Sequence, residues 1–504
     1  MRVGVLDLLA TPARGWSEAL YHLVMTKQYA SVTPQAVAVW CRQLGHATYY
    51  GTYYGLGDPR RRLPRDLDVV FVSTYTQASA LAYALAKLYR RDGLTTVVGG
   101  PHATAFPADC LRFFDLVVGE CSKALVADIL RGAFPPGTAV SSATPLEAIP
   151  TVEERMPEIR ASAFAWGRHP FTATTIPLLA STGCPYTCDF CVDAARPYRQ
   201  LPLDRLAADL AYVARRLPGV MVAFHDPNFA VKFDSVLDVL ESVPAGTRSP
   251  YIVETSLSIL GGGRARRLRT TNCVSLAPGV ESWFGYASKA GVGRLTGSAK
   301  VEAVVERFTA LSREVPYLQA NFLLGLDLAD ADDEVALTKA FMTRTPFVWP
   351  VVNIPHPFGG TALFDRCRAE GRLLEGLPFS FYYSPYLATV PAGCAPETYY
   401  ARLIDLFAHF TSASMLARRL ATTASPFARM LHVVRTAVKR RRLRAFRRIH
   451  GLLGSDRQLR RFHEAAATEL PELYHREYER VLGSFAPLMS RRDRVPVPER
   501  GVAV

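Results

Sequence analysis

Short β-branched runs alternate with longer stretches of helical period through the first three quarters of the chain. The first run spans residues 2–7 (RVGVLD). A helical pattern carrying Val37, Val39 and Trp40 follows, and Gly45-His46 leads into a Tyr-rich run. Runs at 68–72, 95–98 and 115–118 come next, each closed by Gly, Ser or Asp. Such alternation predicts a parallel sheet with helices on both faces, binding ligands at the carboxyl ends of its strands. Those ends carry Ser73-Thr74, Gly99-Gly100 and Gly119. Small residues let a backbone approach a large flat ligand, and hydroxyls bond phosphate or amide groups. The same glycines would also serve tight turns on an empty sheet.

The alternation resumes after residue 173. Strands are expected at 176–180, 220–224, 251–254, 274–277, 318–324 and 348–354, with helices at about 202–216, 233–242, 298–313 and 332–343. Six βα units make a partial (β/α)6 barrel of TIM type, with its chemistry at the carboxyl ends of the strands. Residues 141–172, with Pro145, Pro150, Pro157 and Pro170, keep no period and read as a linker. Past residue 375 the strand signals fade. Tyr382-Tyr383, Tyr399-Tyr400, Phe407 and Phe410 form an aromatic region placed to cap the barrel, and 399–450 reads as helical. The expected class is therefore α/β. It comprises a Rossmann-like parallel-sheet domain (1–140), a linker, a partial barrel (173–375) and a mainly helical C-terminal region (376–504).

Composition narrows this picture. A chain of 504 residues with 49% hydrophobic content can bury several ordinary globular cores. No apolar run reaches the ~18 residues of a spanning helix, and the N-terminus lacks a signal-peptide pattern. Six of the nine cysteines (Cys41, Cys110, Cys121, Cys273, Cys367 and Cys394) are scattered without a pairing pattern, which fits a reducing cytoplasm. The net charge of +14 is local: between Arg418 and Arg461 stand 14 Arg or Lys against one acid, Asp456. Three readings stay open for this segment: an arginine-rich solvated face, contact with a membrane surface, or RNA. Because the rest of the chain is nearly neutral, general nucleic-acid binding is disfavoured.

The other three cysteines, Cys184, Cys188 and Cys191, form a C-x3-C-x2-C triplet at the end of the first barrel strand. Three closely spaced thiolates on a loop can hold an iron–sulfur cluster or a metal. A closed structural zinc site normally wants four ligands. With no fourth cysteine nearby, a cluster with one open iron is favoured over three buried or zinc-binding thiols.

The spacing, with Phe190 just before the last cysteine, resembles the radical S-adenosylmethionine (SAM) enzymes. The resemblance implies a 4Fe-4S cluster on the three cysteines, with SAM chelating the open iron and cleaved to a 5′-deoxyadenosyl radical. His225-Asp226-Pro227-Asn228-Phe229 at the second strand end is similar to the cobalamin-linked branch of that family. Gly279-Val280-Glu281-Ser282 resembles its Gly-x-Glu-Ser segment. The implied SAM-binding set is Phe190, Asp226, Asn228, Glu281, Ser282 and Lys289. Asp226 also reads as a helix cap or turn residue, and Lys289 as a solvated lysine. The strand around 321–325, the acidic run 327–334 after it, and Pro357-Phe358-Gly359-Gly360-Thr361 complete the likeness.

Pro34-Gln35, Gly45-His46, Thr76-Gln77 and Gly99-Gly100-Pro101-His102 resemble the cobalamin-binding domain fused to many of these enzymes. This implies cobalamin at Ser73, Thr74, Gln77, Gly99, Gly100 and Gly119. The Asp-x-His-x-x-Gly signature that gives cobalt a histidine is absent, as it often is in the fused domains. The resemblance implies a methyltransferase that abstracts hydrogen from an unactivated carbon and delivers methyl from methylcobalamin. It also implies a small-molecule or natural-product substrate and an external electron donor of flavodoxin or ferredoxin type. Cyclisation, ring contraction or oxidation without methyl transfer is the first alternative. RNA modification and a non-catalytic iron–sulfur protein rank lower. His225, His356 and Tyr286, near strand ends, are candidates for contact with substrate.

Overall fold

The computed structural model describes all residues except 165–170, 172–173, 195, 262, 286–288, 327–330 and 498–504. Tyr286 and residues 327–330 of the acidic run therefore lie outside the described residues. In the first domain, β1 (Arg2–Leu8), β2 (Ala47–Tyr53), β3 (Val69–Thr74), β4 (Thr95–Gly99), β5 (Leu116–Val118) and β6 (Thr138–Val140) form one parallel sheet in the order β2-β1-β3-β4-β5-β6. The chain leaves β1 for β2 on one side and returns to β3 on the other. That reversal opens a crevice outside the carboxyl ends of β1 and β3, the switch point where open α/β sheets bind ligands.

The second sheet is built from β7 (Thr175–Leu178), then, after a small antiparallel hairpin of β8 (Ser181–Thr182) and β9 (Arg199–Gln200), from β10 (Met221–Phe224), β11 (Tyr251–Ser256), β12 (Cys273–Glu281), β13 (Tyr317–Leu323) and β14 (Val348–Asn353). Six of these strands pair in parallel in chain order, β7 at one edge and β14 at the other. The edges do not pair with each other, so the barrel is partial. Its core alternates with amphipathic helices such as Leu203–Arg216 and Gly297–Leu311, whose apolar faces are buried against it.

The two sheets share a continuous core, because buried residues of both and of the C-terminal helices belong to one apolar cluster. Polar contacts lock the join. Arg155, fully buried within the stretch read as a linker, donates to Gln35 Oε1 at 2.7 Å and to the Pro177 carbonyl on β7 at 3.1 Å. Phe106 of the first domain stacks on Phe379 at 3.7 Å between ring centroids. An added Cβ at Gly359 would sit 1.8 Å from the Ala105 carbonyl, so only glycine permits this approach.

The C-terminal region holds the helices Pro396–Phe410, Ala413–Thr422 and Pro426–Ser455. Tyr399 donates to the Leu324 carbonyl at 2.7 Å, holding the first of these over the end of β13. Among the described residues no helix is long and apolar enough to cross a membrane.

Candidate active site

The cysteine loop is shaped by its own backbone. Gly183 adopts φ +67°, and a Cβ there would lie 2.3 Å from the Pro197 carbonyl. The loop can therefore close on itself only with glycine at this point. The Cys184 amide donates to Arg196 O at 3.4 Å and the Cys191 amide to Cys188 O at 3.0 Å. The turn after β14 grips the loop from the far side: Leu363 N donates to Asp189 O at 2.9 Å, and Arg366 pairs with the Asp189 carboxylate at 2.6 Å. Cys184 is buried and the other two thiols are partly exposed. Burial pushes Cys188 up to about 11 and raises Cys191, against the pull of Lys289. All three thiols lie within one another's electrostatic reach. Among the described residues no three His, Cys, Asp or Glu side chains converge on a single point as one metal ion requires. An iron–sulfur cluster instead offers each thiolate its own iron, and iron would hold these raised thiols deprotonated.

The strand ends beside the loop carry the residues expected to meet SAM. Glu281 adopts φ +65° at a bulge where the β12–β13 register shifts between Gly279 and Glu281. A left-handed non-glycine residue is strained, and such strain gathers at functional sites. Its carboxylate folds back over Gly279, where a Cβ would lie 2.3 Å from Oε1. Lys289 Nζ stands 3.7 Å from that carboxylate. Burial lowers the Lys289 pKa, but Glu281 and the three cysteines outweigh it and the ammonium is held. Burial raises Glu281, opposed chiefly by Lys289.

Asn228 is buried. Its Oδ1 accepts from Thr255 at 3.4 Å, while Nδ2 has no partner, a buried donor that a ligand acceptor would satisfy. Asp226 is turned toward its own chain: it accepts from Ala180 N at 3.1 Å and the Ser181 hydroxyl at 2.6 Å, positioning the entry to the cysteine loop. Burial raises its carboxyl to about 6 despite these bonds. The Ser282 hydroxyl accepts from Phe284 N at 2.9 Å, and Phe190 packs partly buried against the core. The two candidate histidines are neutral. Burial and Arg155 push His225 down to about 4. His356, within 3.1 Å of the Tyr386 carbonyl, is likewise lowered to about 4 by burial and packs under the aromatic region.

At the switch point of the first sheet a cavity of about 910 Å³ opens toward the barrel. Leu9, Ala10 and Thr11 after β1 and Tyr75 and Gln77 after β3 line one wall; Gln319, Trp349 and Val351 from β13 and β14 line another. Of the six residues expected to meet cobalamin, Gln77 lines the cavity itself. Ser73, Thr74, Gly99, Gly100 and Gly119 form the strand-end edge. Gly100, at φ +92°, approaches so closely that a Cβ would lie 3.0 Å from Thr74 N. A crevice of this size at a sheet's switch point has room for a large part of a planar ligand. His102 is fully buried, bonds Tyr83 Oη at 2.7 Å and is pushed to about 3 by burial, so it belongs to the core.

The third wall corrects one expectation. The basic segment is not simply a solvated face: Arg419 is fully buried over Trp349 at 5.0 Å, and Arg435, Lys439 and Arg442 of the helix Pro426–Ser455 line the cavity. Sequence reading also passed over Arg155 and Asp7. A charged residue inside the apolar run of β1 was the available signal for Asp7, which is fully buried.

Two parallel sheets share one core, and a three-cysteine loop follows the first strand of the second. Solved structures bear out the fold. The chain superposes on OxsB, a cobalamin-dependent SAM radical enzyme with aqua-cobalamin bound, at a TM-score of 0.58 and 12% identity over 97% of this chain and 79% of that one. It superposes on the radical SAM methyltransferase TsrM from Kitasatospora setae, with cobalamin and a 4Fe-4S cluster bound, at 0.55 and 13% identity over 89% of this chain and 99% of that one. In sequence it is 22% identical over 342 residues to bacteriochlorophyllide d C-12(1)-methyltransferase of Chlorobaculum tepidum, covering 64% of this chain and 71% of that protein. It is 23% identical over 328 residues to the C-8(2)-methyltransferase of the same organism, covering 61% and 69%. No family model matches. The fold is that of the cobalamin-dependent radical SAM enzymes.

Proposed function

We propose that the chain is a cobalamin-dependent radical SAM methyltransferase acting on an unactivated carbon of a small molecule. The observation that carries this reading is the meeting of the cysteine loop with the carboxyl edge of the first sheet, through Arg196 and Glu120. When bound, the cluster with SAM supplies a hydrogen-abstracting radical and cobalamin supplies a methyl group, so the hard chemistry belongs to the cofactors. The protein's task is to hold and orient. Cys184, Cys188 and Cys191 hold the cluster. Glu281, Lys289 and the unpaired Asn228 amide, with Phe190 and Ser282, line the SAM side. Asp226 fixes the loop's first residues. Ser73, Thr74, Gln77, Gly99, Gly100 and Gly119 form the cobalamin side. Likeness to named methyltransferases in both sequence and structure supports methyl transfer over other radical outcomes. The reading includes an external flavodoxin- or ferredoxin-type electron donor. It also includes a reducing cytoplasm, which nine free cysteines fit.

The test is anaerobic reconstitution with iron, sulfide and hydroxocobalamin, followed by desalting, optical and EPR spectra, and incubation with methyl-labelled SAM. Stoichiometric cobalamin, a cluster signal and label passing to a carbon acceptor are expected. A cluster signal without retained cobalamin would overturn methyl transfer and leave hydrogen-abstraction chemistry alone.

A further inference from the structure

The cavity is far from neutral. Seven cationic side chains line it against two carboxylates, Glu18 and Glu477. Those carboxylates are already engaged: Glu18 accepts from the Arg14 backbone at 2.9 Å, and Glu477 is shared by Arg14, Arg448 and Arg480. Deeper in, Arg435, Lys439 and Arg442 occupy positions i, i+4 and i+7 of the helix Pro426–Ser455, a spacing that stacks them on one face. Like charges so arranged repel one another.

Arg435 bonds Gln319 on β13 and lies 5.2 Å over the Tyr317 ring. Among the described residues Lys439 and Arg442 make no hydrogen bond or ion pair. Arg442 Nη1 is buried without a partner, and Lys439 has only the Phe407 ring at 6.0 Å. Burial, reinforced by Arg442 and Arg435, pulls the Lys439 ammonium down to about 7. Both side chains are partly buried, and a partly desolvated cation without a partner is costly unless an anion joins it. The same cavity is apolar in part, with Leu431 and Val438 of the helix and Val351 of β14 in its lining. Glu254 on β11 lies within electrostatic reach of both Arg435 and Lys289.

We propose that Arg435, Lys439 and Arg442 anchor the anionic group, a carboxylate or phosphate, of an otherwise apolar substrate whose body lies along Val351. This names a substrate class for the site assigned above and rests on that reading only for the word substrate. Arginine forks suit such oxyanions, and charge-assisted bonds are the strong ones in a partly desolvated site. The anionic end would sit against the helix and the apolar body would extend toward the strand ends.

The test uses full-length protein, with and without reconstituted hydroxocobalamin, and a pair of fluorescent probes: 8-anilinonaphthalene-1-sulfonate and its uncharged parent, N-phenyl-1-naphthylamine. The double variant Lys439→Met/Arg442→Met is expected to weaken the sulfonate by about tenfold or more. It should leave the neutral probe and cobalamin retention at wild-type levels. The charge-keeping variant Lys439→Arg/Arg442→Lys is expected to keep the sulfonate preference, which separates lost charge from a collapsed cavity. Displacement of the sulfonate by dodecanoate or by dodecyl phosphate then tells carboxylate from phosphate, and dodecanol, lacking the anion, should displace the sulfonate at least about tenfold more weakly than the better of the two. Unchanged sulfonate binding in the Met variant overturns the proposal. So does loss of the sulfonate preference in the charge-keeping variant. Loss of cobalamin retention in the Met variant also overturns it, since the cations would then serve the cofactor's own phosphate. Failure of wild-type protein to retain cobalamin would sink the methyltransferase reading and leave the probe comparison standing.

Discussion

Arg196 of the cysteine loop lies 3.0 Å from the carboxylate of Glu120, the residue that follows Gly119 at the end of β5. The pair joins the loop expected to hold the cluster to the sheet edge expected to hold cobalamin. Both side chains are about one-third exposed, so the bridge adds about 1 kcal/mol or less to stability. Its effect is on position. Arg196→Ala is expected to melt within a few degrees of wild type and keep its iron. It should lower the rate of methyl transfer several-fold, because small displacements of reacting groups are costly. Iron analysis beside single-turnover kinetics checks this, and a proportional loss of iron would assign the pair to cluster binding instead.

Gly183 should matter to the cluster as much as the cysteines do. Alanine there must adopt a left-handed φ costing about 1–2 kcal/mol and must also clear the Pro197 carbonyl at 2.3 Å. Gly183→Ala is expected to give soluble protein with three intact cysteines and little bound iron or sulfide. Cys184→Ala, Cys188→Ala and Cys191→Ala should each abolish the cluster absorption. Cys121→Ala, on the far face of the first sheet's core, should leave it unchanged.

Gly279→Ala tests the folded-back carboxylate of Glu281. The new Cβ would occupy the place of Oε1, forcing the carboxylate away from Lys289. SAM affinity is expected to fall by about tenfold, the scale of one charge-assisted contact, with cluster content unchanged. Glu281→Gln should weaken SAM to a similar degree. Equilibrium binding to reconstituted protein measures both, and undiminished affinity in both variants would remove Glu281 from the SAM site.

The sequence made these residues legible wherever a local pattern existed. The cysteine spacing, the Gly-x-Glu-Ser segment and the β-branched runs stand out because each is a property of a few consecutive residues. The strand β6 (Thr138–Val140) did not, being three half-exposed residues at a sheet edge. Nor did the hairpin of β8 and β9, whose two-residue strands are polar or charged. The helical spacing of Arg435, Lys439 and Arg442 was visible, but which surface covers that face is a long-range matter. It is decided by a first domain more than three hundred residues earlier in the chain. Arg155 is the extreme case. Nothing in its Pro-containing neighbourhood marks an arginine that will bridge two sheets, because both of its acceptors, Gln35 and Pro177 O, are supplied by the tertiary fold.

Asp7 should make stability depend on pH in an unusual direction. It is fully buried on β1, accepts from Ser31 N at 3.2 Å, and leaves Oδ1 without a partner. Burial raises its carboxyl from 3.8 to about 7, against the bonds from Ser31 and Ser73. The folded state therefore holds a proton that the unfolded chain releases near pH 4. Its contribution is fully present below that pH and is lost as pH rises toward 7, an upper bound of ~4 kcal/mol. An asparagine side chain at this position would remain neutral throughout, and its amide oxygen can still accept from Ser31. The Asp7→Asn variant is thus expected to exceed wild type in denaturation midpoint at pH 8, with the gap closing progressively toward pH 4. A gap that stays constant across this range would show that Asp7 ionises normally in the folded protein.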